Sequence, residues 1–227
     1  MSVSVSTAAS PPVIYPDSDG EPMADNTKQF RWIVTIHGGL DSIFANDPSV
    51  FVAGDLLWYP VEGDNKTRAA PDVMVVFGRP KGDRGSYRQW EEDHVAPQVV
   101  FEVLSPGNRA GALARKIEFY ERFGVDECYV YDPDSGDLSG WHRMNGQWQA
   151  IPSMQGWVSP RLGVRFQTVD DELDLRGPDG RPFISFVELS RQRDATQRQA
   201  ERAQRQAERL AAQLRALGVE PDAATPE

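Results

Sequence analysis

Cysteine is nearly absent from this chain of 227 residues, which contains Cys128 alone. One cysteine cannot build a disulfide framework, so we expect a reducing compartment, the cytoplasm. No apolar run reaches the roughly 18 residues that a membrane-spanning helix requires. Residues 1–12 also lack the basic leader of a signal peptide. These absences exclude a secreted disulfide scaffold and give no indication of a membrane protein.

Positive charge is scarce as well, because 24 lysines and arginines stand against 34 aspartates and glutamates, for a formal net charge of −10. Non-specific binding of nucleic acid requires clustered cations, so a broad basic surface is not expected. A local basic cleft, or a site screened by a metal ion, stays open. Hydrophobic residues make up 40% of the chain, which favours a packed core over disorder.

Changes in composition divide the chain into four predicted segments. Residues 1–19 lack periodicity and are predicted to form a flexible lead-in, whereas residues 20–183 have the patterning of one domain. Residues 184–217 are predicted to be one helix, and residues 218–227 a disordered tail. Apolar residues of that helix follow a heptad seam: Ala203, Ala207, Leu210, Leu214 and Leu217. The seam indicates a homo-oligomer held by a coiled coil, with packing against the domain as the alternative.

Three short apolar runs in the domain predict a mixed β-sheet. They occupy residues 71–77, 97–106 and 126–133, and a helical pattern at residues 110–123 separates the last two. The order strand, strand, helix, strand is typical of an α/β fold with a crossover helix between parallel strands.

Further elements are predicted on both sides of this centre. A helix is expected over residues 26–44, with Asp25 as its N-cap, and Gly38 and Gly39 weaken its middle enough to allow a break. Residues 50–53 and 55–59 are predicted strands, and residues 173–180 are predicted to be turns.

Glu102 is the anomaly of the second apolar run, because a carboxylate there is costly to desolvate unless a cation or a donor binds it. Asp72 opens the run before it, and Lys116 lies beside the apolar stripe of the helix after it. The three residues are separated by 30 and 14 positions. The alternatives to a catalytic site are a structural ion pair between Glu102 and Lys116, Asp72 as a turn residue, and Lys116 as a surface residue.

Two carboxylates and a lysine at one end of a small sheet fit metal-assisted hydrolysis of a phosphodiester. Mg²⁺, or Mn²⁺, takes oxygen ligands and keeps several waters, so Asp72, Glu102 and the carbonyl oxygen of Val103 are the predicted metal ligands. Lys116 is predicted to orient or deprotonate the attacking water, or to stabilise negative charge as a compact cation. Asp55 is predicted either to support this site or to end a strand.

The loop at residues 78–92 is both basic and aromatic, and is called the basic-aromatic loop below. It is a candidate for nucleic-acid contacts, in which cations meet phosphates and aromatic rings stack on bases, and a solvated connector is the alternative. Its cations are Arg79, Lys81, Arg84 and Arg88.

Four motifs together resemble the Uma2 (Uma-two) family, a bacterial family of endonucleases in the PD-(D/E)xK restriction-endonuclease-like superfamily. They are Ala-Pro-Asp-Val at 70–73, Val-Val-Phe-Glu-Val-Leu-Ser-Pro at 99–106, Arg-Lys-Ile-Glu-Phe-Tyr at 115–120, and Gly-Val-Asp-Glu-Cys-Tyr-Val-Tyr-Asp-Pro at 124–133. The resemblance implies a mixed central sheet flanked by helices, with Asp72 and Glu102 on the metal. The superfamily lysine stands two residues after the acid, where this chain has Leu104, and the family takes it from the next helix, which Lys116 matches. Glu21 matches a family acid near the first helix.

The predicted function is therefore a Mg²⁺-dependent endonuclease that cleaves DNA. The alternative is a non-catalytic scaffold that keeps the fold and self-associates through its C-terminal helix. A nuclease for RNA, or for branched or damaged DNA, is not distinguished from the first prediction.

Overall fold

The computed structural model describes residues 13–107 and 110–217, which form two compact units that divide between Phe183 and Ile184. The predicted tail, and residues 1–12 of the predicted lead-in, lie outside the described residues. Residues 13–19 contact the domain, since the ring of Tyr15 packs on those of Tyr59 and Trp90 and the carbonyl of Pro16 accepts a hydrogen bond from the Tyr59 hydroxyl.

The described part of the first unit contains two α-helices, ten strands and a 3-10 helix at Gln89–Glu91. The helices are α1 (Thr27–Ile43) and α2 (Ala110–Arg122). The strands are β1 (Val50–Gly54), β2 (Trp58–Tyr59), β3 (Val73–Phe77), β4 (Tyr87–Arg88), β5 (Val99–Val103), β6 (Glu127–Tyr131), β7 (Leu138–Met144), β8 (Gln147–Ala150), β9 (Arg165–Val169) and β10 (Glu172–Arg176).

The central sheet has six strands in the order β1-β3-β5-β6-β7-β8. Its strands β5 and β6 are parallel and its other neighbours are antiparallel, so the sheet is mixed. Helix α2 connects the parallel pair, as such a pair requires. The predicted α/β fold, with a mixed central sheet flanked by helices and a long C-terminal helix, is confirmed.

Strands β3, β5 and β6 are buried because both faces of the sheet are covered. On one face, Ile33, Ile36 and Leu40 of α1 join the core with the odd-numbered valines of β3 and β5. On the other face, Tyr120 of α2 packs in a second core with Val100. Burial on both faces explains why these strands are continuous apolar runs rather than alternating ones.

Helix α1 corrects the predicted N-cap and shows that no break occurs at its two glycines. Its N-cap is Asn26, whose side chain accepts hydrogen bonds from two backbone N–H groups of the first turn, and not Asp25. The helix also continues through Gly38 and Gly39, because a packing contact compensates the poor helix propensity there. A Cβ atom on Gly39 would lie 2.3 Å from the Phe183 ring, so glycine is what allows the ring to approach.

Two strand predictions also differ from the structure. Asp55 has φ 48°, which ends β1 and leaves only Trp58–Tyr59 as β2. Strand β10 (Glu172–Arg176) includes the first four residues of the segment 173–180 that was predicted to be turns, and it pairs with β9. The pairing satisfies a backbone that local composition alone assigns to a loop.

The second unit contains helix α3 (Phe186–Ala216), where a helix over 184–217 was predicted. Ser185 begins it with a capping box, in which its side chain and that of Glu188 bond to each other's backbone N–H groups. Among residues 13–107 and 110–217, no helix is long and apolar enough to cross a membrane.

Candidate active site

Strand register brings three carboxylates into one row. Gly54 of β1 is opposite Val73 of β3, and Val73 is opposite Phe101 of β5. The next position in the same spatial direction is Asp55 after Gly54, Asp72 before Val73 and Glu102 after Phe101. Antiparallel pairing thus sets the start of β3 against the ends of β1 and β5, and residues far apart in sequence become neighbours.

Helix α2 presents two donors to Glu102. Lys116 and Tyr120 are four residues apart and therefore share a helix face. The Lys116 Nζ donates to Glu102 Oε2 at 2.7 Å and to the carbonyl of Ala70 at 2.9 Å. The Tyr120 hydroxyl donates to Glu102 Oε1 at 2.5 Å. Glu102 is only 3% exposed, and these two bonds offset the cost of burying its carboxylate.

The buried carboxyl group of Asp72 has fewer hydrogen-bond donors than that of Glu102. Asp72 is 8% exposed, and its Oδ2 accepts a hydrogen bond of 2.6 Å from the Val103 N–H. Burial, together with the neighbouring Glu102 carboxylate, raises the pKa of Asp72 to about 8, against the opposing effect of Lys116. A divalent cation at this position would relieve the repulsion between the two acids.

Lys116 and Asp55 both interact electrostatically with Asp72 and Glu102. Burial alone would lower the pKa of Lys116, but Glu102 and Asp72 outweigh burial and raise that pKa above its usual value. Lys116 is therefore an ammonium cation at neutral pH. Burial raises the pKa of Asp55, and the carboxylates of Asp19 and Glu102 add to the effect.

The Val103 carbonyl, predicted as a metal ligand, is on the same edge of β5 as the amide that binds Asp72. It accepts a hydrogen bond of 2.7 Å from Gln29 Nε2, and Gln29 is itself held by the Asp25 N–H. The Ser105 hydroxyl donates in turn to the Asp25 carboxylate. The first turns of α1 thereby reach the end of β5.

The donors present fit a hard cation. Within the described ranges, no group of three or more histidine, cysteine, aspartate and glutamate side chains is close enough to hold an ion. Asp72 and Glu102 offer two carboxylates, and Val103 offers a carbonyl oxygen. An all-oxygen set of this size suits Mg²⁺, which binds through one or two carboxylates and retains waters.

Asp55 and Glu21, the two residues predicted to support the site, differ in their relation to Asp72, Glu102 and Lys116. Asp55 interacts electrostatically with Asp72, Glu102 and Lys116. Glu21 is exposed, and its backbone N–H donates to Asp19, which is the acid from this segment that interacts with Asp55.

The cations of the basic-aromatic loop all have carboxylate partners. Glu92 binds both Arg79 and Arg84, whose side chains are only 15% and 13% exposed. Lys81 pairs with Asp41, and Arg88 pairs with Glu91. The predicted role of these four cations in nucleic-acid binding stays a prediction.

Sequence reasoning missed Tyr120 and Gln29. The signal for Tyr120 was its position four residues after Lys116, which puts a phenol on the same face as the ammonium group. No local pattern marks Gln29, because its contact with Val103 spans 74 residues.

A buried pair of acids with a lysine at the end of a mixed α/β sheet is the arrangement that the sequence motifs predicted for a nuclease. Residues 19–175 match the Uma2 family, whose description is "Putative restriction endonuclease". The chain belongs to the Uma2 family, and the predicted resemblance is confirmed.

One similar solved structure is a "putative nuclease belonging to DUF820" from Anabaena variabilis. It is 15% identical, with a TM-score of 0.45, and the match covers 63% of this chain and 78% of that chain. No curated protein matches the chain significantly.

Proposed function

We propose that this protein is a metal-dependent endonuclease that hydrolyses phosphodiester bonds of DNA, with Mg²⁺ or Mn²⁺ bound by Asp72, Glu102 and the carbonyl of Val103. The observation that carries the proposal is the contact of the Lys116 ammonium group with Glu102, next to the buried Asp72. Membership of a nuclease family supports the same reaction class.

The protein groups have distinct roles in this reaction. Asp72, Glu102 and the Val103 carbonyl would hold a divalent cation, which would supply Lewis-acid stabilisation of the phosphate oxygens and activation of water. Lys116 is protonated, so it donates a hydrogen bond to the attacking water or to a phosphate oxygen rather than removing a proton. Tyr120 fixes the orientation of the Glu102 carboxylate. Asp55 adds negative charge that favours a cation beside Asp72.

DNA contacts are proposed for Lys81 and Arg88 ahead of Arg79 and Arg84. The side chains of Lys81 and Arg88 are 32% and 34% exposed, and each pairs with an exposed acid that a phosphate can displace. Arg79 and Arg84 are held by the shared Glu92. Location in the cytoplasm stays a prediction.

The test is cleavage of supercoiled, linear duplex and single-stranded DNA, and of RNA, with Mg²⁺, with Mn²⁺ and with EDTA. Asp72→Ala, Glu102→Ala and Lys116→Ala should each lower the cleavage rate by about 100-fold or more, since each removes a group that stabilises charge in the transition state. Cleavage of RNA alone would assign a different substrate.

Glu127→Gln is the matched control. Glu127 is also a buried glutamate of the central sheet, but it lies at the start of β6 and bonds to Ser159 and Tyr129. The Glu127→Gln protein should cleave within about twofold of the wild-type rate, because the contacts of Glu127 are structural. Normal cleavage by the Glu102→Ala protein would overturn the metal assignment.

The second candidate function is a non-catalytic scaffold that self-associates through α3. The net charge of −10, and the pairing of the loop cations with acids, favour this candidate. Absence of metal-dependent cleavage on every substrate, with a dimeric mass in solution, is its expected signature.

A further inference from the structure

Helix α3 carries a heptad seam along its whole length, and the seam residues are apolar except for Arg193 and Thr196. Its leucines Leu189, Leu210 and Leu214 remain 54%, 51% and 39% exposed. Positions a and d of the heptads, which face the partner in a coiled coil, run without interruption from the first residue of the helix to its C-cap. They are Phe186, Leu189, Arg193, Thr196, Ala200, Ala203, Ala207, Leu210, Leu214 and Leu217.

The positions beside the seam carry no charge. Position g is glutamine in all four heptads, at residues 192, 199, 206 and 213. Position e is serine, glutamine, glutamine and alanine, at residues 190, 197, 204 and 211. Charges at e and g normally select the partner of a coiled coil. Neutral flanks create no repulsion between identical helices, which favours a second copy of this chain as the partner.

The sizes of the seam residues select the orientation. When two copies run antiparallel about the midpoint between Ala200 and Ala203, those two alanines face each other. Of the remaining layers, one sets Arg193 against Leu210, and each of the others pairs residues of similar size. The layers are Phe186 with Leu217, Leu189 with Leu214, Arg193 with Leu210, and Thr196 with Ala207.

Charge also favours the antiparallel arrangement. A parallel pair would bring the Arg193 side chains of the two copies together at an interior a position. In the antiparallel pair the stem of Arg193 lies over Leu210 and its guanidinium group stays in water beside Asp194. Residues 186–201 carry three arginines and three acids, but residues 202–217 carry four arginines and one glutamate. Antiparallel packing sets the basic half against the neutral half and opposes the two helix dipoles.

We propose that α3 pairs with α3 of a second copy as an antiparallel coiled coil, with the small residues from Thr196 to Ala207 at its centre. The inference builds on the self-association proposed above and is independent of nuclease activity. Small central residues let the two helices approach closely, and the leucines and Phe186 close both ends of the seam.

Light scattering on the full chain tests the pairing. The wild type should have twice the 25.3 kDa mass of one chain. Leu210→Asp with Leu214→Asp should give the monomer mass, because two charges then lie in the seam. Ala212→Asp with Ala216→Asp adds the same charge on the outer face of the same turns and should stay dimeric. A monomeric wild type overturns self-association.

Disulfide trapping tests the orientation separately. Cys128 is buried and does not interfere. A chain with Leu189→Cys, mixed with a size-tagged chain with Leu214→Cys, should give mainly the mixed disulfide on oxidation, and each variant alone should give little. Self-disulfides of each variant alone, with a dimeric mass, would overturn the antiparallel orientation but leave the dimer intact.

Discussion

Asp72 and Glu102 are neighbours with different means of tolerating burial. Glu102 has a cation and a phenol as donors, whereas Asp72 has one backbone amide. In the metal-free protein the pKa of Asp72 is raised to about 8, so its carboxyl group stays mainly protonated at neutral pH. A raised carboxyl pKa of this kind is expected in a cation site from which the ion is absent.

Asp72→Asn should therefore stabilise the metal-free protein in alkaline solution. The pKa of Asp72 is about 8 in the folded state and its ordinary value, expected in the unfolded chain, is 3.8, so between these pH values the folded state holds a proton that the unfolded state has released. Stability from this group is full below pH 4 and is lost as pH rises through 8. At pH 9 the variant should gain a few kcal/mol, since one pKa unit corresponds to about 1.4 kcal/mol.

Urea unfolding in EDTA at pH 5 and pH 9 measures this difference. Asp83→Asn, in an exposed loop position, is the control and should change little at either pH. A gain of the same size at pH 5 and pH 9 would contradict the assigned ionisation of Asp72.

Tyr120→Phe should destabilise the fold by about 1–3 kcal/mol, because it leaves a buried carboxylate oxygen of Glu102 without its donor. Tyr87→Phe is the matched comparison. Tyr87 is also fully buried, in the same core, but its hydroxyl donates to the neutral carbonyl of Val95. Denaturant unfolding should show a smaller loss for Tyr87→Phe. Equal losses would mean that the charge of Glu102 is not what Tyr120 stabilises.

Helix α1 contains a pair of glycines with opposite roles. A Cβ on Gly38 meets no atom within 4 Å, whereas a Cβ on Gly39 overlaps the ring of Phe183. Gly38→Ala should raise the free energy of unfolding by up to about 1 kcal/mol through helix propensity. Gly39→Ala should lower it by about 1–3 kcal/mol through overpacking.

Thermal unfolding of the two variants tests whether Gly38→Ala raises and Gly39→Ala lowers the stability of the protein. Gly39→Ala in a Phe183→Ala background removes the ring and should recover the benefit of alanine. If Gly39→Ala were stabilising with Phe183 in place, the packing contact would be refuted.

The elements of this fold are largely predictable from sequence, but their alignment is not. Continuous apolar runs mark β3, β5 and β6 because both faces of these strands are buried. The row of Asp55, Asp72 and Glu102 depends on strand register, which no single run encodes. Strand β10 was missed for the same reason, since its stability comes from pairing with β9.

The site residues divide in the same way. Glu102 was identifiable because a carboxylate in an apolar run requires a partner, and Lys116 lies on the next helix. Asp19 and Gln29 were not, because tertiary contacts bring them to the site from the start of the chain.

At the scale of the whole molecule, binding of Mg²⁺ should raise the melting temperature of the wild type. A ligand at ten times its Kd stabilises by about 1.4 kcal/mol, which for a domain of this size is a rise of about 3–6 °C. Asp72→Asn should remove most of this rise and Glu127→Gln should keep it. Because the chain is acidic, NaCl at equal ionic strength serves as the control for screening. An equal rise in NaCl would exclude a specific site.

Cys128 lies on β6 beside Val100, with 0% exposure, on the same face of the sheet as Glu102. Burial, and then the charge of Glu102, raise the pKa of its thiol, so the reactive thiolate is suppressed in the folded protein. As the chain has no other thiol, a maleimide pulse counts molecules in which the centre of the sheet has opened. The wild-type sequence thus contains its own reporter of how often the candidate site comes apart, and no label has to be engineered to follow it.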